Sequence, residues 1–219
     1  MKKISLLLLC LSCVMFVHSQ NDDEVEFQDI QVAFESFIFF RDAVAANDTS
    51  AIRQSANNLR VANTCDFNSM RCNDDSEESL NGHLVFNIAF ADSLAAGKNV
   101  YGQADDINRS STTRGQYTDG KVHAKTCFVK AGSTTRYTFP SRGYQELAVV
   151  AESGGLVTMR IHVTNRAGLD ERHDDTSDVR KGRPQRRTSF NLPTDRTSTV
   201  ELEIVNCGSN DCSFVVISN

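Results

Sequence analysis

Thr199-Val200-Glu201-Leu202-Glu203-Ile204-Val205-Asn206 alternates strictly, with Val200, Leu202 and Ile204 on one side and Glu201 and Glu203 on the other. A period of two with one apolar and one charged face specifies a strand that buries one side and wets the other. Working outward from it, six more short runs have the same character, at 121–130, 134–139, 145–151, 156–164, 187–192 and 213–218. The separators are turn material: Ala131-Gly132, Pro140-Ser141-Arg142-Gly143, Ser153-Gly154-Gly155, Pro193-Thr194-Asp195 and Gly208-Ser209-Asn210-Asp211. Strands at this cadence predict an antiparallel β-sandwich over residues 121–219.

Upstream the period changes. Phe27, Ile30, Phe34, Phe37, Arg41 and Val44 recur at three- and four-residue steps, as one face of a helix does. Asn47-Asp48-Thr49-Ser50 breaks that period and supplies N-cap oxygens for a second helix, about 51–62, with Ile52, Ala56 and Leu59 on one stripe. The pair reads as a helical hairpin within a helical region spanning 27–97. Phe37-Ile38-Phe39-Phe40 is apolar around more than one face, so the hairpin must dock, and the chain's own sandwich is the expected cover. The fold class is therefore α+β: an N-terminal helical hairpin packed on a C-terminal antiparallel, jelly-roll-like β-sandwich. Residues 83–96 are ambiguous: Leu84, Phe86, Ile88 and Phe90 alternate as a strand would, and Asp92-Ser93-Leu94-Ala95-Ala96 then reads as a short helical turn ending at Gly97. Residues 98–120, rich in Gly, Ser and Thr, read as a polar linker.

The N-terminus is an address. Met1-Lys2-Lys3 precedes an apolar run from Ile4 to Val17, and Val17-His18-Ser19 follows, the pattern of a secretory signal over 1–19. Cys10 and Cys13 fit a lipid-anchoring signal badly, because Val14-Met15-Phe16-Val17 continues the apolar run past them. The expected product is exported, secreted or periplasmic, and begins with an acidic leader at 20–26. The whole chain has 219 residues and a formal charge of −5, and loss of Lys2 and Lys3 makes the remainder more acidic. An acidic chain without tryptophan is not a general nucleic-acid binder. No later apolar run is long enough to cross a bilayer as a helix.

Five cysteines remain beyond the signal. In an oxidising compartment the close pairs predict local disulfides, Cys65–Cys72 and Cys207–Cys212, with Cys127 left as a buried strand thiol. Neither spacing is that of a zinc site, so no metal or other cofactor is expected.

No metalloprotease helix, nucleophile elbow or phosphate loop is present, and no catalytic residue is assigned. A cleft holding a histidine or paired carboxylates at hydrogen-bonding distance would favour a hydrolase; a filled sandwich would count against one. The most unusual segment is 165–186, where Asp170, Glu171, Asp174, Asp175 and Asp178 precede Arg180, Lys181, Arg183, Arg186 and Arg187. A long charge-segregated loop inside a sandwich is solvated or functional. These five basic residues are the candidate contacts to a polyanion. The functional expectation is a secreted, non-catalytic binding or accessory protein for a surface glycan or protein. Its alternatives are a secreted hydrolase or inhibitor, or a structural interaction protein.

Gly132-Ser133-Thr134-Thr135-Arg136-Tyr137-Thr138-Phe139 as an opening strand, with 200–206 and the closing Ser213-Phe214-Val215-Val216-Ile217-Ser218-Asn219, resembles the bacterial pre-peptidase C-terminal type of β-sandwich and similar jelly-roll accessory modules. The stretches 81–101 and 145–152 resemble parts of an uncharacterised family of bacterial secreted proteins. These resemblances imply a secreted or surface-associated product with no assigned chemistry.

Overall fold

The computed structural model describes residues 22–62, 64–73, 79–110, 122–164, 170–174 and 182–219. The stretch expected to be a secretory signal, most of the acidic run at 73–78 and the residues Arg180 and Lys181 lie outside these. Two sheets of five strands stack face to face, with a helical layer over one of them. Sheet A has the order β1-β3-β10-β5-β8, from β1 (Cys65–Asp66), β3 (His123–Val129), β10 (Cys212–Ser218), β5 (Tyr144–Ala151) and β8 (Gln185–Asn191). Sheet B has the order β2-β4-β9-β6-β7, from β2 (Arg71–Cys72), β4 (Thr134–Ser141), β9 (Ser198–Asn206), β6 (Val157–Thr164) and β7 (Asp170–Asp174). All pairings are antiparallel except β1 with β3.

Strand composition follows from which faces are covered. In β9, Val200, Leu202 and Ile204 are fully buried between the sheets, while Glu201 and Glu203 stand on the outer face of sheet B. β10 and β5 lie under the helices and are covered on both sides. Phe214 and Val216 point into the sandwich, and Val215 and Ile217 point into the helical layer. Leu147 and Val149 divide from Ala148 and Val150 in the same way. A strand covered on both faces loses its alternation and reads as a continuous apolar run.

The helical layer is α1 (Asp22–Ala45), α2 (Thr49–Val61), α3 (Ile88–Ala95) and α4 (Ala104–Ser110). Asn47 takes a left-handed φ of 57° at the α1–α2 turn, and Asp48 caps α2 by accepting from the Ser50 and Ala51 amides at 3.0 Å. The aromatic face of the hairpin is covered by the chain itself. Phe37 and Phe40 are buried and meet Phe86 edge-on at 6.0 and 6.2 Å, although Phe39 and Val32 remain about 40% exposed. Helix α1 begins at Asp22, so most of the expected leader is helical. The stretch read as a polar linker holds α4 as well, and Val100 and Ala104 join the helical core. No helix among the described residues is long and apolar enough to cross a membrane.

Two expectations need correction. Residues 165–186 are not simply a loop: β7 pairs along the edge of β6, and Val157 and Arg183 form a bridge before β8 begins at Gln185. Charged residues suit an edge strand, which pairs on one side only. The five cysteines stand as thiols rather than local disulfides. Residues 65–72 carry the chain from sheet A to sheet B, and 207–212 carry it back from β9 to β10. Each pair thus brackets a crossover and not a hairpin. Cys127 is buried on β3, and burial pushes its thiol up to about 12.

The uncovered face of sheet B is held by charge. Arg136 donates to Glu203 Oε2 at 3.0 and 2.8 Å, and Arg160 to Oε1 at 3.0 Å, across three neighbouring strands. Burial alone would raise the Glu203 carboxyl, but hydrogen bonds from Arg136 and Arg160 hold it below its ordinary 4.5. Its stabilising contribution is complete above that value and disappears as pH falls through the lower folded one. An Arg136→Ala/Arg160→Ala variant should therefore lose less stability than the parent between pH 7 and pH 3, as read from urea midpoints.

Candidate functional site

Among the described residues, a concave feature lies at the seam where the helical layer meets the β1 edge of sheet A. Its geometry starts with residues 84–86, which cross sheet A in extended form without joining it. Side chains bond the Leu84 and Phe86 backbone, and the Val85 carbonyl accepts the Asn87 amide at 3.0 Å. Glu152 accepts the Leu84 amide at 3.1 Å, Ser213 Oγ donates to the Leu84 carbonyl at 2.7 Å, and Thr126 Oγ1 accepts the Phe86 amide at 3.0 Å. Glu152 also takes His83 Nδ1 at 2.7 Å and the Ser213 amide at 2.8 Å. The expected strand is corrected here: 84–86 is a buried stretch that joins no sheet, and Ile88 and Phe90 belong to α3, which begins four residues before the expected turn. Asn87 makes the switch as N-cap, its Oδ1 accepting the Phe90 amide at 2.8 Å.

Fixing Phe86 and Asn87 opens a groove of about 300 Å³. Phe37, Leu59 and Phe86 make its apolar wall, and Thr64, Cys65, Asp66, Asn87 and Asp92 supply polar groups. A second hollow of about 130 Å³ shares Asp66, Phe86, Asn87 and Ala124 and adds Asn108, Lys125 and Thr126. The two are continuous through those shared residues. The charges here are matched locally: Asp92 pairs with Arg60, and Lys125 Nζ donates to the Met70 carbonyl at 2.8 Å. Apolar walls with a few convergent polar groups are the usual make-up of a small-ligand site.

On the sandwich side of sheet A, the face away from the groove, Cys65 Sγ lies 3.3 Å from His123 Nδ1. This is a histidine at hydrogen-bonding distance from a nucleophilic side chain, the arrangement that a sequence cannot reveal because its members are 58 positions apart. Elsewhere, a shallow surface of about 380 Å³ lies along α1 and α2, lined by Val32, Glu35, Ser36, Phe39, Gln54 and Asn58. Among the described residues no group of three or more His, Cys, Asp or Glu is placed to hold a metal.

The basic candidates are dispersed. Arg186 is 3% exposed and donates to the Val157 carbonyl at 3.3 Å inside the sandwich. Arg187 faces the helical layer, pairs with Glu146, reaches Gln31 and lies 6.0 Å over the Phe34 ring. Arg183 is exposed, with its backbone bridged to Val157. Gly182 beside it is a requirement of packing, since a Cβ there would fall 2.7 Å from the Leu156 carbonyl carbon.

No family model matches the chain, and no curated protein matches it. Several solved structures align with part of the chain. The Yersinia pseudotuberculosis-derived mitogen aligns with 45% of this chain and 85% of its own at 11% identity, with a TM-score of 0.32. The Salmonella Typhimurium periplasmic inhibitor of g-type lysozyme aligns over 48% and 93% at 16% identity, with a TM-score of 0.29. A carbohydrate-binding module, TmCBM61, in complex with β-1,4-galactotriose aligns over 45% and 86% at 9% identity, with a TM-score of 0.26. Likeness at this level carries no argument about function.

Proposed function

We propose that the chain is an exported binding or accessory protein that takes a neutral, hydroxyl-rich ligand, a surface glycan, into the seam groove. The observation that carries this reading is the groove itself: Phe37 and Phe86 wall it, and Thr64, Asp66, Asn87, Asn108 and Thr126 ring it. Amides, hydroxyls and carboxylates are the donors and acceptors that pair with sugar hydroxyls, and aromatic surface suits the apolar face of a sugar ring. A second reading, contact with a polyanion through Arg180, Lys181 and Arg183, is supported by the exposure of Arg183. Arg186 and Arg187 serve the interior in either case.

The test is an array of neutral and sulfated glycans, probed with the mature protein and two variants. Ala89→Trp fills the groove from an exposed position; Arg180→Ala/Lys181→Ala/Arg183→Ala removes the basic segment. Binding to neutral glycans that falls at least about tenfold in Ala89→Trp and persists in the triple variant is expected. Silence on the neutral glycans, or loss only in the triple variant, contradicts the reading.

A further inference from the structure

Strand β3 is only partly covered along its outer edge. The Val122 and Ala124 carbonyls accept the Cys65 and Phe67 amides at 2.9 and 3.1 Å, so the backbone groups that face this edge belong to residues 122, 124, 126 and 128. The residues between them, Lys125, Cys127 and Val129, turn theirs to β10. A longer parallel ladder would bring the Thr126 amide to the Phe67 carbonyl. Instead β1 ends at Asp66, and that carbonyl accepts the Met70 amide at 3.2 Å. Beyond Ala124 the edge is therefore open. Among the described residues nothing accepts the amides of Thr126 and Phe128 or donates to their carbonyls. Thr126 is 5% exposed, so its groups are largely withheld from water, a costly state for backbone donors and acceptors.

This edge lies in a slot. On the helical side Phe86 stands over it, its amide donating to Thr126 Oγ1 at 3.0 Å, and the Phe128 ring packs edge-on against His83. On the sandwich side the 67–70 turn closes in, with Lys125 Nζ donating to the Met70 carbonyl at 2.8 Å. The hollow of about 130 Å³ sits between these walls, rimmed by Asn68 from one and Asn87 from the other. Walls on both faces admit one extended chain and exclude the edge of a second folded sheet. The side chains fix what that chain carries. A residue opposite Thr126 or Phe128 points toward Phe86 and the Phe128 ring, where an apolar group fits. One opposite Cys127 points to the other face beside Lys125, whose ammonium has donors left after Met70. A carboxylate pairs with it there, since Asp66, at the near end of the edge, stands on the opposite face.

We propose that the open β3 edge binds an extended peptide of a partner protein by strand addition, with apolar residues on either side of an acidic one. The N–H and C=O groups of the peptide pair with those of Thr126 and Phe128 and prolong the line of β1. The site does not rest on the glycan reading, because its bonds are made to main-chain groups of residues that do not line the larger groove.

The probe is a capped Thr-Val-Glu-Val-Thr peptide, added to the isotope-labelled protein at up to about 1 mM. The amide resonances of Thr126 and Phe128 should shift, and their hydrogen exchange should slow. The same peptide N-methylated at its three central residues lacks the donors and should bind at least about tenfold more weakly. A version with lysine in place of its glutamate should also bind more weakly. Phe128→Pro removes an edge donor without touching the β10 ladder, as proline on an edge allows, and should abolish binding. Phe128→Ala keeps that donor and should still bind. Unmoved Thr126 and Phe128 amides, or equal binding of the N-methylated peptide, overturns the proposal, and the parent protein decides this even if Phe128→Pro does not fold. The two readings fail separately. Ala89→Trp should lose neutral glycans and keep the peptide, and Phe128→Pro should do the reverse.

Discussion

Phe214→Ala should destabilise the protein by about 3–5 kcal/mol, enough to threaten folding outright. Phe214 is fully buried at the centre of β10, between Cys127 of β3 and Ala151 of β5 in the sheet register. Its ring meets Tyr137 of the opposite sheet edge-on, with centroids 6.1 Å apart. Truncation removes a large apolar side chain where both sheets and the helical layer converge on one strand, so the surroundings cannot close over the cavity without moving a sheet. The comparison is Tyr144→Ala on the neighbouring β5, where the side chain is 39% exposed and the loss should stay within about 0.5 kcal/mol. Urea denaturation of both variants checks the contrast, and similar midpoints would mean that the two sheets do not share this core.

Glu152→Ala should cost about 2–4 kcal/mol, and the damage should be local before it is global. The carboxylate accepts from His83, from the Leu84 amide and from the Ser213 amide, and so joins the 83–86 segment to β10. Without it two backbone amides lose their acceptor in a place where Leu84, Val85 and Phe86 are buried. Amide hydrogen exchange should accelerate at 84–90 while the β9 amides keep their protection. Because Phe86 and Asn87 line the groove, ligand binding should weaken in the same variant. Uniform acceleration across both sheets would show that Glu152 supports the whole fold rather than the groove's floor.

These two side chains also mark where the sequence could and could not be read. All seven runs that predict strands over residues 121–219 are strands, and the Ile52, Ala56 and Leu59 stripe is the buried face of α2. Periodicity records burial, so elements that bury one face announce themselves. β7 does not, because an edge strand made of Asp170 to Asp174 has the composition of a solvated loop. Neither did the 84–86 segment, whose backbone is bonded by Glu152, just past β5, by Ser213 of β10 and by Thr126 of β3. The cysteine pairs misled for a related reason: nearness in sequence suggested nearness in space, but the intervening residues cross between the sheets.

The site was less legible than the fold. Its lining comes from α1, α2, β1, the start of α3 and β3, and no pattern of spacing collects Phe37, Leu59, Cys65, Asn87 and Ala124. One local signal was available, Asn87 three positions before Phe90, an N-cap that fixes where α3 begins. The basic run was legible as composition but not as placement, since residues alternate between faces of β8. That alternation sends Arg186 into the sandwich and Arg187 toward the helices.

Recognition at the seam groove is tested by hydrogen exchange of the protein with and without the neutral oligosaccharide that binds best on the array. Ligand-induced protection concentrated at residues 64–66, 86–92 and 124–126 is expected. Protection confined to the segment preceding β8 or to the outer face of sheet B, with the groove amides unchanged, would contradict it.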